Sequence, residues 1–240
     1  EVNCYDYDGT ILYSYNLEEA QALTELPALP SREGLTCQGW NYDLDTIKSY
    51  NRAVDVGVTY ITDDGKTRLY IKIAAEGRMN VPLYFSQTVS NGVTIDWGDG
   101  STTQKLSGTG NKNTTHTYTS IGDYVITLDV ASGCTLGLGH ASSSYCVMGS
   151  TGNNGYVYCN ILQKVEIGER VTSIGAYTFY NCYGMAIYDF TSHTSVPTLS
   201  DTNAFSSIPS DCVIKVPASL YDEWIAATNW STYASCIVAV

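Results

Sequence analysis

The chain has 240 residues, with 24 acidic against 12 basic ones and a formal net charge of −12. That balance excludes partners bound through phosphate contacts, where Lys and Arg must displace counterions, and it disfavours anionic membrane surfaces. Charged residues make up only 15% and hydrophobic ones 44%, which excludes intrinsic disorder, while 20 Tyr, 4 Phe and 21 Gly point to a β-rich, turn-rich chain of extracellular type.

Residues 1–73 read as a first module of short strands and two short helices. Tyr5 to Tyr13 is expected to form a hairpin, with Asp8-Gly9 supplying a turn that needs positive φ. Asn16 stands at a helix N-cap, with Glu19 in the capping-box position, and the helix through Leu17, Ala20 and Leu23 must stop before Pro27. Gly34 to Asn41 is the next strand, followed by a helical turn around Leu44, Ile47 and Tyr50. A second hairpin, Val58–Thr62 and Arg68–Ile73 across Asp63-Asp64-Gly65-Lys66, is expected to close the module. Through Tyr7-Asp8-Gly9-Thr10, Pro27-x-x-Pro30 and Gly34 to Asn41, this stretch resembles the internalin-type B repeat, a small β-grasp-like module of bacterial surface proteins.

Residues 74–132 form the second unit. Trp97-Gly98-Asp99-Gly100-Ser101 is followed by His116-Thr117-Tyr118, and then by Gly122 to Leu128, which alternates with period two. Those three blocks in order resemble a PKD-type, Ig-like β-sandwich. The resemblance implies a core role for Trp97, strand-packing roles for His116 and Tyr118, and no catalysis.

Residues 133–240 contain an internal repeat. Tyr156, Cys159 and Leu162 recur 23 positions later as Phe179, Cys182 and Met185, and Val165 and Ile167 recur as Tyr188 and Phe190. A further copy follows 26 positions on, at Ile214 and Val216, with Phe205 placed before Val216 as Phe179 is before Phe190. Such a period with paired apolar positions suits a short leucine-rich-repeat solenoid, one strand per repeat. Val171-Thr172-Ser173-Ile174-Gly175-Ala176-x-x-Phe179-x-x-Cys182 resembles the BspA-like repeats in particular. The tail from Val216 to Ser231 is expected to be a helical cap, with Ser219 as N-cap and Leu220 and Trp224 covering the last repeat edge.

Chemical motifs are sparse. The eight Cys have no C-x-x-C spacing and read mainly as buried thiols, with Cys4 and Cys37 the best pair to examine for a disulfide. Asp6-Tyr7-Asp8-Gly9-Thr10 matches the nucleophile motif of haloacid-dehalogenase-type phosphatases, with Asp63 and Asp64 as candidate later acids. That motif belongs at the end of a buried parallel strand under helices, and Asp8-Gly9 already has a turn to make. Asp96 and Asp99 are the best-placed oxygens for calcium, but no EF-hand loop is present. His116, His140 and His193 are far apart in sequence, and Ser142, Ser143 and Ser144 near His140 lack a nucleophile elbow. Asn113 and Asn229 head formal glycosylation sequons. With Phe179 and Cys182 inward, Tyr177, Tyr180 and Tyr183 fall on positions free to face outward as a binding surface.

The fold expected is mainly β: a β-grasp-like module, an Ig-like sandwich and a short solenoid with a helical cap. The function expected from the resemblances is non-catalytic: a modular bacterial cell-surface or secreted protein, without cofactor or metal, that binds a host or neighbouring-cell protein or glycan through its repeats. A bacteriophage virion or decoration protein is the alternative, and a phosphatase acting through Asp6 and Asp8 the remote one. No stretch approaches the roughly 18 apolar residues that span a bilayer. Glu1 to Cys4 lacks the basic-then-apolar pattern of a signal peptide, consistent with a cut point in a precursor, and Cys236 to Val240 carries no anchor.

Overall fold

A computed structural model describes residues 1–6, 8–32, 35–62, 64–140, 145–150 and 159–240. The fold is mainly β, with 39% strand and 15% helix; the sheets are mixed, and none is closed among the described residues. The chain divides into two compact units, Glu1–Asp64 and Gly65–Val240.

In the first unit, β1 (Val2–Tyr5) and β2 (Ile11–Tyr15) form the expected antiparallel hairpin. Gly9 takes φ +84° in its turn, a conformation that L side chains rarely adopt. Asn16 accepts from Glu19 N at 2.9 Å while the Glu19 carboxylate accepts from Asn16 N at 2.9 Å, so the capping box starts α1 (Leu17–Ala22) as read. Strand β3 (Leu35–Trp40) precedes α2 (Leu44–Ser49), which Asp43 caps, and then β4 (Val54–Thr62). The sheet order is β2-β1-β4-β3, with β1 and β4 parallel. Val2, Cys4, Val54 and Val56 bury one face of the sheet with Ala20 and Ile47 of the helices. The Trp40 indole donates to Pro27 O at 2.9 Å and the Tyr13 phenol to Ala28 O at 3.1 Å, tying down the proline-bearing connection.

The second unit begins with β5 (Thr67–Ile73), and here the structure corrects the expected second hairpin. Strand β5 does not pair with β4; its neighbours are β10 (Gly122–Val130) and β14 (Leu162–Glu166). The first boundary therefore falls after residue 64 rather than after 73. Between β5 and β10 lie β6 (Asn80–Gln87), β7 (Val93–Asp96), β8 (Gln104–Lys105) and β9 (Gly110–Thr117). Beyond β10 come β11 (Leu136–Leu138), the hairpin of β12 (Tyr145–Cys146) and β13 (Gly149–Ser150), then β14 and β15 (Val171–Ile174). The chain closes with β16 (Ile187–Asp189), β17 (Thr198–Leu199), β18 (Val213–Val216), α3 (Tyr221–Ala226) and β19 (Ile237–Ala239).

Among the described residues, two large sheets result, ordered β19-β18-β16-β14-β5-β10-β7-β8 and β17-β15-β11-β6-β9. Each is antiparallel at one end and parallel at the other. Residues 74–132 and 133–240 thus share both sheets and one hydrophobic core, with no division after residue 132. The reason is pairing: β5 has β10 on one side and β14 on the other, and β6 lies between β9 and β11.

The repeat offsets are the register of the parallel ladder. Val165 pairs with Tyr188, 23 positions on, and Tyr188 with Ile214, 26 on. The ladder runs one rung further, Ile214 to Ile237. A second parallel ladder, unread in the sequence, joins β11, β15 and β17. Between the sheets, Phe179, Tyr188, Phe190 and Phe205 are fully buried.

The tail does cover an edge, by other means than expected. Ser219 lies inside a 3-10 turn, Ala218–Leu220, and caps nothing; Leu220 occupies the N-cap of α3 without a side-chain bond. Trp224 and Trp230 are buried, and Trp230 Nε1 donates to Pro197 O at 2.8 Å while Asn229 Nδ2 donates to Leu199 O at 2.8 Å. These bonds occupy the Leu199 carbonyl of the edge strand β17 and the Pro197 carbonyl just before it. Tyr7, Gly34, Asp63, Ser142 to Ser144 and Tyr156, named from the sequence, lie outside the described residues.

Candidate functional site

The tyrosine-bearing turn lies between β15 and β16. Phe179, Cys182 and Met185 point inward, as their repeat positions require. Thr178, fully buried, donates its hydroxyl to Leu138 O at 2.8 Å, and Phe179 N and Asn181 N donate to Ala204 O and Ser206 O of the next coil. The turn is therefore fixed from within and from both neighbouring coils.

Its outer surface carries the three tyrosines unequally. Tyr177 and Tyr180 are half-buried and meet edge to face, with ring centroids 5.4 Å apart. Tyr183 is 60% exposed, and its phenol donates to Asn181 Oδ1 at 3.0 Å. Asn181 has φ +58° and orients that phenol. The sequence reading passed over it, although an Asn between aromatic positions is the residue type that tolerates left-handed backbone.

The phosphatase-like acids are placed differently. The Asp6 carboxylate is buried at the end of β1, where it accepts from Arg32 Nε at 2.7 Å and from the Tyr60 phenol at 2.8 Å, and it also bonds Arg32 Nη2. Asp8 is exposed and accepts from Thr10 N at 2.9 Å, and hydrogen bonds from Thr10, backbone then side chain, lower its pKa. Asp6 thus holds a loop and Asp8 a turn.

Trp97 is buried, as its core role requires, and the His116 ring stacks on it at 4.8 Å and 12°. His116 Nε2 lies 2.7 Å from Asp99 Oδ2, and Tyr118 donates to Trp97 O at 2.8 Å. Hydrogen bonds from Ser101, side chain first, together with those from His116, hold the Asp99 carboxyl down at about 2. Asp96 accepts from Gly98 N and Asp99 from Ser101 N, so both acids proposed for calcium serve their own turn. Gly98 has φ +75° here, and a Cβ would come 2.3 Å from Val125 O.

The other histidines work as separate staples: His140 Nε2 meets Lys112 O at 3.1 Å, and His193 Nε2 meets Val171 O at 3.1 Å. Burial pulls the His193 pKa down, and its Nδ1 is buried without a partner among the described residues. Cys4 and Cys37 are not joined in a disulfide. Of the sequons, Asn113 is exposed on β9, whereas the Asn229 amide is held by Leu199 O. A groove of about 310 Å³ beside the cap is lined by Val196 to Leu199, Ala227, Thr228 and Trp230, none of them titratable. No helix among the described residues is long and apolar enough to cross a membrane. No protein-family model, curated protein or solved structure matches the chain.

Proposed function

We propose that this chain is a non-catalytic recognition protein of bacterial cell-surface or secreted type, which engages a protein or glycan through the turn carrying Tyr177, Tyr180 and Tyr183. The observation that carries this reading is the contrast within the turn. Phe179, Cys182 and Met185 anchor it, while Tyr183 stands 60% exposed with its phenol oriented by Asn181. An aromatic side chain held on a fixed backbone offers a large contact area and a hydrogen-bonding tip at low entropic cost.

The modular readings support this role. The offsets of 23 and 26 residues and the inward Phe179 and Cys182 fit a BspA-like leucine-rich array. The Trp97, His116, Asp99 and Tyr118 cluster fits a PKD-like sandwich fused to that array. The hairpin, capped helix and four-stranded sheet of residues 1–64 fit an internalin-type, β-grasp-like module.

The test is binding of the full chain to glycan arrays, mucin and matrix proteins, alongside a Tyr177→Ala, Tyr180→Ala, Tyr183→Ala variant. Loss of at least about tenfold in affinity, roughly 1.4 kcal/mol, is expected for the variant. Equal binding by both proteins removes the turn from the account.

A further inference from the structure

His193 ties three parts of the second unit together. It follows β16, and its backbone N–H donates to Phe190 O at 3.0 Å. Its Nε2 lies 3.1 Å from Val171 O at the start of β15, and a carbonyl only accepts, so Nε2 carries the ring proton. Nδ1 is then the bare nitrogen of a neutral ring. The side chain is only 5% exposed, packed against Phe190 at 5.3 Å and against Trp224 of α3 at 5.9 Å. Trp224 in turn meets Trp230 at 5.3 Å, and the Trp230 indole holds Pro197 O beside the edge strand β17. An unbroken chain of contacts thus runs from the His193 ring to the edge that the tail covers.

We propose that His193 is an acid-operated latch on this tail: the neutral ring holds α3 and Trp230 in place, and protonation at Nδ1 releases them. The added proton needs an acceptor, and Nδ1 has no hydrogen-bond partner among the described residues. The two rings against it offer none. Phe190 has no polar side-chain atom, and the Trp224 indole N–H, itself buried without a partner among the described residues, can only donate. A buried charge left without a bond is costly, so the closed tail keeps the proton off and an acid solution favours the open one.

The surrounding charges do not reverse this. Burial lowers the His193 pKa, and the opposing pull of the Val171 and Phe190 carbonyls and of the Glu169 and Asp189 carboxylates is the weaker influence. Glu169 is exposed, and Asp189 already accepts from Thr191 N at 3.0 Å and Thr191 Oγ1 at 2.7 Å. Arg170, next to Val171, is half-buried, and the charged residues of α3, Asp222 and Glu223, are exposed. Neither the connection from His193 to β17 nor the turn bearing Trp230 carries an acidic or basic side chain. A histidine with a lowered folded pKa contributes stability that is present above its ordinary value, here 6.5, and lost as pH falls below it. Between the ordinary and the lowered value, each pH unit raises the population of the open tail about tenfold. Opening withdraws Trp230 from Pro197 O and Asn229 from Leu199 O, which bares the edge of β17.

The experiment is native-state hydrogen exchange on the full chain between about pH 7.5 and about pH 5.5, with rates corrected for the intrinsic pH dependence of exchange. The amides of Ala227 and Ser231, which donate to Trp224 O and Ala227 O within the tail, report its opening. Their opening equilibrium is expected to rise about tenfold per pH unit below 6.5, while the Ala20 and Ile47 amides of the first unit stay level. His193→Gln keeps a donor for Val171 O but cannot titrate, so its tail amides are expected to stay level too. A level response in the wild type, or the same rise in His193→Gln, overturns the proposal. Should that variant not fold, the titration of the His193 ring in the wild-type protein, followed by NMR, decides: a value below 6.5 supports the latch and a value at or above it overturns it.

Discussion

Two side chains show how local chemistry sets stability here. Asp99 is held at about 2, below its ordinary value of 3.8. A group with a depressed folded pKa contributes stability that is fully present above the unfolded value and is lost as pH falls through the folded one. Wild-type stability should therefore drop between about pH 4 and pH 2, and Asp99→Asn should flatten that part of the profile, as read by urea midpoints across the range. Tyr188 makes the opposite case. Its ring packs on Phe179 at 4.7 Å and Phe205 at 4.9 Å, yet its buried hydroxyl has no hydrogen-bond partner among the described residues. Leaving such a group unsatisfied costs about 1–3 kcal/mol, so Tyr188→Phe should raise stability by a comparable amount. An unchanged or lowered midpoint would mean that the phenol has a partner after all.

Among the elements, what the sequence made legible was local or periodic. Asp8-Gly9 and the Asn16–Glu19 box act within a few residues, and both do what their chemistry dictates. The repeat offsets were legible because successive coils must present apolar side chains at the same rung, and those offsets are the pairing register. The partner of β5 was not legible. Strands β4 and β5 both alternate and are joined by a Gly-containing segment, so a hairpin satisfied every local rule. The choice was made by distant strands that bury both edges of β5, and alternation carries no information about them. The β11–β15–β17 ladder was missed because its strands have two to four residues; the shared offset of 25 between Ser173 and Thr198 and between Ile174 and Leu199 was its only trace. At the site, inward Phe179 and Cys182 followed from the repeat, but the unequal exposure of the tyrosines depends on the Tyr177–Tyr180 ring contact and on the backbone of Asn181. The cap yields its own prediction. Trp230→Phe keeps the aromatic packing but leaves Pro197 O without its donor, which should cost about 1–3 kcal/mol in thermal or denaturant unfolding. An unaltered midpoint would show that the edge of β17 does not depend on this bond.

For the molecule as a whole, the second unit joins two kinds of β architecture without a seam. In one sheet β5 passes the pairing from antiparallel β10 to the parallel run starting at β14, and in the other β6 and β11 do the same. The turn proposed for recognition is mounted on this body and inherits the rigidity of the whole core rather than that of one small repeat array, which is why the fold matters to the proposed function. Native-state hydrogen exchange on the full chain under increasing denaturant tests this most directly, because it reports the opening free energy of each strand separately. The backbone amides of β7 and β10 should merge with those of β14, β16 and β18 into a single opening transition. Separate transitions for the two groups, with the parallel strands opening while β7 and β10 stay protected or the reverse, would contradict it.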